Sequence, residues 1–106
     1  MVHRLVVSYG RPDDPAAFDA HYRDTHTPLA TSMPGLVRLA TGSPQPLDPS
    51  QPVPYLVAEL DFESEKEMGA AFNSAEGKAA ADDIAEFATG GATMTHYQLN
   101  EVHASR

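Results

Sequence analysis

The chain of 106 residues fits one domain, 1–106, with a modest core, and its 42% hydrophobic and 21% charged content is that of a folded protein rather than a disordered one. Seven scattered basic residues against fifteen acidic ones leave a net charge of −8, which argues against nucleic acid or an anionic membrane as partner, because phosphate binding needs clustered Lys and Arg. No cysteine is present, so there is no disulfide, thiolate nucleophile or Cys-based zinc site, which fits a cytoplasmic location.

In chain order, the N-terminus offers only the short apolar run Leu5-Val6-Val7, too little for a signal peptide or a membrane span. Residues 3–9, "HRLVVSY", are β-branched and aromatic and read as a strand ending at Gly10. Asp14 is a good N-cap and Pro15 suits the first helical position, so a helix is predicted from Pro15 to about Thr27. At about 100° per residue, Phe18, Tyr22, Thr25, His26 and Leu29 share one stripe of it. Pro28 has no N–H for the carbonyl of Asp24, so the helix is expected to kink or end there, and Pro34-Gly35 then turns the chain.

Residues 36–41, "LVRLAT", read as a second strand, and the proline-rich residues 42–54 as an irregular hairpin loop. Residues 55–62, "YLVAELDF", give the clearest strand signal. Ser64 and Glu67 form a capping box ahead of Met68, Ala71 and Phe72 at helical spacing. A second helical piece, "AEGKAAADDIAEFA", presents Ala80, Ile84 and Phe87 on its inner stripe and stops at Gly90-Gly91. The last strand is "ATMTHYQLNEV", residues 92–102.

The order βαββαβ predicts an α+β, ferredoxin-like fold with both helical segments on one face of a four-stranded antiparallel sheet. In the strands, Leu5, Val7 and Tyr9 oppose Val6, and Leu56, Ala58, Leu60 and Phe62 oppose Tyr55 and Val57. Neither face is cleanly polar, as a half-exposed sheet would be, so the face without helices is expected to meet the same face of a second copy in a homodimer.

A histidine on an oily stripe, beside a tyrosine one turn away, can move a proton or orient a ligand. The plainer reading is that His26 caps a helix end disturbed by Pro28. His21 lies on the flank of the stripe and reads as a rim residue. His21 and His26 stand five apart, about 140° round an α-helix, which is poor spacing for shared metal ligation, so no metal is expected. His96 shares a strand face with Met94 and Gln98, while Tyr97 takes the other; either could line a pocket. His3 and His103 near the chain ends are expected to be solvated, and Glu59 and Asp61 solvated or salt-bridged. Asp82 and Asp83 point apart and do not read as an acid/base pair. No phosphate loop, nucleophile elbow or Ser-His-Asp set is present.

Several stretches together resemble the EthD family, named for ethyl tert-butyl ether degradation. They are Tyr22-x-x-x-His26-x-Pro28-Leu29, Pro34-Gly35-Leu36, Ser74-x-Glu76-Gly77 and Phe87-Ala88-x-Gly90-Gly91, and the likeness runs from Leu5 to about Val102. The resemblance implies the dimeric α/β-barrel superfamily, with a ligand cavity between the sheet and its helices in each subunit. Relatives there include cofactor-free monooxygenases, lactone isomerases, polyketide cyclases and haem-degrading enzymes. His26 and Tyr22 match the family's histidine and tyrosine.

The expectation is therefore a cofactor-independent small-molecule enzyme, of oxygenase or oxidoreductase type, acting on an apolar or aromatic compound. His26 serves as general base or acid and Tyr22 as its partner; Phe18, Leu29, Phe72, Phe87, His96 and Tyr97 are candidates for the pocket. Two alternatives stand beside it: an isomerase or cyclase using the same pocket, and a non-catalytic module that binds a hydrophobic intermediate or assists another enzyme.

Overall fold

The computed structural model describes residues 2–105. Strand β1 (His3–Tyr9) leads to helix α1 (Pro15–His21), a π-helical turn (Tyr22–His26) and helix α2 (Thr27–Thr31). Strands β2 (Arg38–Gly42) and β3 (Leu56–Phe62) follow, then helices α3 (Glu65–Asn73) and α4 (Ala75–Phe87), and strand β4 (Ala92–Gln98) closes the chain. The sheet has the order β2-β3-β1-β4 with antiparallel neighbours throughout, the ferredoxin-like arrangement the element order implied. Observed strands are shorter than expected at the outer edges: β2 begins at Arg38 and β4 ends at Gln98, each with one more backbone hydrogen bond beyond it, from Val37 to Asp61 and from Leu99 to Val2, both 2.8 Å.

The caps follow the local chemistry. Asp14 accepts the backbone N–H of Ala17 at 3.2 Å and Pro15 opens α1. Ser64 accepts the N–H of Glu67 at 3.1 Å, and Ser74 that of Gly77 at 3.0 Å. Gly77 is required where α3 meets α4, because a Cβ there would collide with the carbonyl of Ala71 and the backbone of Phe72.

Pro28 does not end the first helical segment, contrary to the expectation for Asp24–Pro28. The chain widens into a π-turn in which the N–H of Thr27 bonds to the carbonyl of Tyr22, five residues back, reinforced by the Thr27 hydroxyl at 2.9 Å. The proline then falls in the first turn of a fresh helix, where its missing N–H costs little. The extra residue also rotates Thr25 out of the stripe, and it is exposed.

The core lies between the sheet and the helices. Leu5, Val7 and Tyr9 from β1, Ala58, Leu60 and Phe62 from β3, and Phe18, Tyr22, Met33, Ala71, Ala80 and Phe87 from the helical layer are all buried. The rings of Tyr9, Phe18, Tyr22 and Phe87 form one cluster, every pair 5.1–6.0 Å apart between centroids. Such pairs contribute about 0.5–1.5 kcal/mol each beyond the area they bury. This cluster fixes the π-turn against β1 and α4.

The helix-free face is not cleanly polar, and its carboxylates Glu59 and Asp61 are salt-bridged. Arg4, Val6 and Ser8 of β1 lie beside Val57, Glu59 and Asp61 of β3, with Arg38 and Ala40 of β2 beyond. Asp61 is buried here, held by Arg4 at 2.7 and 3.0 Å and by Arg38 at 2.9 Å; Arg38 also reaches Glu59 at 3.0 Å. The Arg4 guanidinium keeps the Asp61 carboxyl below the usual carboxylate range. The face is mixed: a charged centre flanked by valine, alanine and threonine.

Candidate active site

The π-turn delivers the first catalytic candidate. On a regular α-helix His21 and His26 point about 140° apart. The extra residue in the turn brings residues five apart onto one side, so both imidazoles meet the same carboxylate, Asp83 of α4. His26 Nδ1 lies 3.0 Å from Asp83 Oδ2, and His21 Nε2 lies 2.9 and 3.1 Å from the two carboxylate oxygens. An ionised carboxylate only accepts, so Nδ1 of His26 carries the hydrogen and its Nε2 keeps a lone pair.

His26 is buried, 5% exposed, with its ring 4.9 Å from Phe87 and 5.2 Å from Tyr22. Burial lowers its pKa from 6.5 while Asp83 pulls the other way, and burial wins. At neutral pH the group is therefore a neutral base. Burial pushes the Tyr22 phenol up to about 12 and that of Tyr9 higher still, so both stay protonated. Both phenols are O–H donors on the wall of the same hollow.

His26, Tyr22 and Tyr9 line one hollow between sheet and helices, together with Leu5, Val7, Ala58 and Leu60 from the sheet. Met33, Phe72, Ala80 and Ile84 close it from above. Its exposed lining residues are Met94 on the edge strand β4, 46% exposed, and Ala81 on α4; they mark where it reaches solvent. The free volume is about 20 Å³, room for a single water. A larger guest has to move side chains, and Met33 and Met94 are the flexible ones.

Of the residues expected around the pocket, Phe72 lines the hollow. Phe18 and Phe87 stand one layer behind, stacked on Tyr22 and against His26. Leu29 packs on the core without reaching the hollow. Tyr97 pairs with Arg4 on the helix-free face, 45% exposed, and is not a pocket residue. His96 lies on the helix side but at its far end, bonded to His3 at 2.9 Å in a separate recess beside Glu63 and Glu65. His3 is buried there rather than solvated, because it faces the helix layer opposite Phe62.

Sequence reasoning missed Asp83 and Tyr9. The signal for Asp83 was present: it stands three after Ala80 and four before Phe87, a carboxylate on an apolar stripe. His21, expected at the rim, is half-buried and engaged. Among the described residues no three His, Asp or Glu side chains are arranged to hold a metal ion.

Comparisons with known proteins give a consistent family. A family model, the EthD domain, matches residues 11–91. An uncharacterized 11.0 kDa protein in the thcB-thcC intergenic region of Rhodococcus erythropolis is 47% identical over 93 residues, 88% of this chain and 90% of that one. The crystal structure of an ethyl tert-butyl ether degradation (EthD) family protein from Bacillus halodurans superposes with a TM-score of 0.84 at 29% identity, covering 94% of this chain and all of that one. Two more distant structures share the fold. One is a dimeric ferredoxin-like protein of unknown function from Thermobifida fusca, with TM-score 0.71, 17% identity, and 93% and 92% coverage. The other is SnoaB, a cofactor-independent oxygenase from Streptomyces nogalater, with TM-score 0.64, 14% identity, and 95% and 94% coverage.

Proposed function

We propose, from the premise that this chain belongs to the EthD family, that it is a small-molecule enzyme working without a cofactor, with His26 as its base. One observation carries the reading: a buried neutral imidazole, tied at Nδ1 to Asp83, lines an apolar hollow next to two protonated phenols. That set removes a proton from an apolar or aromatic compound at Nε2 and receives the developing oxyanion charge at Tyr22. The substrate anion then either reduces dioxygen, the oxygenase outcome, or is reprotonated at another atom, the isomerase or cyclase outcome. The distant likeness to SnoaB supplies a precedent for the first on this fold.

The working unit is a homodimer joined through the helix-free sheet face, a reading supported by the dimeric neighbour and by the half-buried valines Val6 and Val57 around the ion network.

A panel of phenolic compounds, ranked by thermal shift, is assayed for product under air and under nitrogen. Oxygen-dependent product supports the oxygenase, product under nitrogen the isomerase, and binding without conversion the non-catalytic module. On any substrate found, His26→Gln is expected to lower kcat by 10²-fold or more, about the size of a general-base contribution. Turnover within a few-fold of the parent removes the chemical role of His26.

A further inference from the structure

Asp83 is held from two sides by groups of different exposure, and this asymmetry has a use. His26 and Asp83 side chains are 6% and 9% exposed; that of His21 is 30% exposed. His21 stacks on Phe87 at 5.0 Å and sets its Nε2 across both carboxylate oxygens. The hollow therefore contains one end of a three-group chain whose other end touches water.

We propose that His21 is a positioning residue for His26, fixing the Asp83 carboxylate that orients the buried imidazole and passing its own protonation state on to the base. The inference rests on His26 being the base, and it adds the regulation of that base. Two consequences follow from the chemistry of a shared acceptor. First, the Nε2–H of His21 takes the carboxylate on the outer side and leaves Oδ2 aimed at His26 Nδ1, which selects the tautomer with a free lone pair in the hollow. Second, one carboxylate carries one negative charge. When His21 gains a proton from solvent, that charge is claimed, and a second imidazolium at His26 becomes harder to form. The base is then kept ready, unprotonated, over a wider acid range than Asp83 alone would permit. The groups that face the trio are Tyr22 of the π-turn and Tyr9 of β1, and both remain neutral phenols, so neither competes for the charge.

The arrangement also explains the π-turn. Five residues apart on a regular α-helix, His21 and His26 would point about 140° apart and could not reach one carboxylate, and the inner imidazole would lose the partner that sets its tautomer.

The test uses the whole protein with histidine-selective nitrogen-15 and carbon-13 labelling, and reads each imidazole against pH by NMR. No substrate is needed, so the result is independent of whether turnover is ever found. The parent supplies the reference His26 midpoint, held below the ordinary value by burial, and the reference Nδ1–H signal. His21→Gln keeps a donor but removes the titratable charge; the His26 midpoint is expected to rise by about half a pH unit or more, with its Nδ1–H signal retained. His21→Leu removes the donor as well, and the Nδ1–H signal should broaden or vanish through faster exchange. Asp83→Asn should lower the His26 midpoint instead. A His26 titration and Nδ1–H signal that are the same in the parent, His21→Gln and His21→Leu overturn the proposal. Once a substrate is found, the acid limb of kcat/KM should move with the His26 midpoint. An activity profile unaltered by His21→Gln, beside a dead His26→Gln variant, would refute this inference and leave the base intact.

Discussion

A buried imidazole makes the fold sensitive to acid. Because the pKa of His26 is lowered on folding, the unfolded chain binds a proton there more readily. The sign follows: the contribution of this site to stability is complete above about pH 6.5, the unfolded value, and is lost as pH falls toward the depressed folded value. Thermal unfolding followed between pH 7.5 and 5 should show Tm dropping with acid, and His26→Gln should flatten that slope even where it changes Tm itself. An unaltered slope in the variant assigns the acid sensitivity elsewhere. Sequence patterning put His26 and Tyr22 on the inner stripe because both follow Phe18 at helical intervals. It could not pair His26 with Asp83, since that contact spans 57 residues of chain and depends on how two helices lie against one sheet. His21 escaped for a different reason: ideal α-helical angles set it on the flank of the stripe, about 140° from His26, and so at the rim.

Elements were legible wherever a periodic pattern was uninterrupted. Strands β1 and β3 and the capped starts of α1 and α3 follow from alternation and from Asp14 and Ser64, whereas the Ser74 cap of α4 emerges only in the structure. The π-turn was not legible, because nothing in the composition of "YRDTH" distinguishes a widened turn from an ordinary one; only the tolerance of Pro28 betrays it. Deleting Asp24, an exposed residue of that turn, should restore a regular helix and set two effects apart. Pro28 would then sit in a helix interior, at a cost of about 3 kcal/mol, which replacing Pro28 by Ala should recover. The His26–Asp83 contact should be kept in both variants, because the deletion leaves His21 and His26 four apart on one face of a regular helix, and the Nδ1–H signal should persist while far-UV circular dichroism stays near the parent. Loss of that signal after the deletion would show that the contact depends on the widened turn itself and not on the two histidines sharing a face.

At the scale of the molecule, the charged centre of the helix-free face modifies the dimer expected from sequence alone. Two such faces brought together enclose two copies of the Arg4–Asp61–Arg38–Glu59 network, which stays paired within each subunit and so needs no partner to satisfy it. The surrounding valines supply the apolar area. Light scattering should report twice the 11.4 kDa chain mass, and Val6→Glu should shift the protein to monomers without unfolding it. A monomeric parent protein refutes the dimer, and a dimer indifferent to that change places the contact on another surface. The hollow itself leads to a separate expectation about timing. Space for one water at rest means that a guest waits for the lining to part, so the observed association rate should level off as ligand is added, at the frequency with which Met33 and Met94 swing clear. Side chains move in far less than a second, so rapid mixing rather than an equilibrium screen is where that plateau shows.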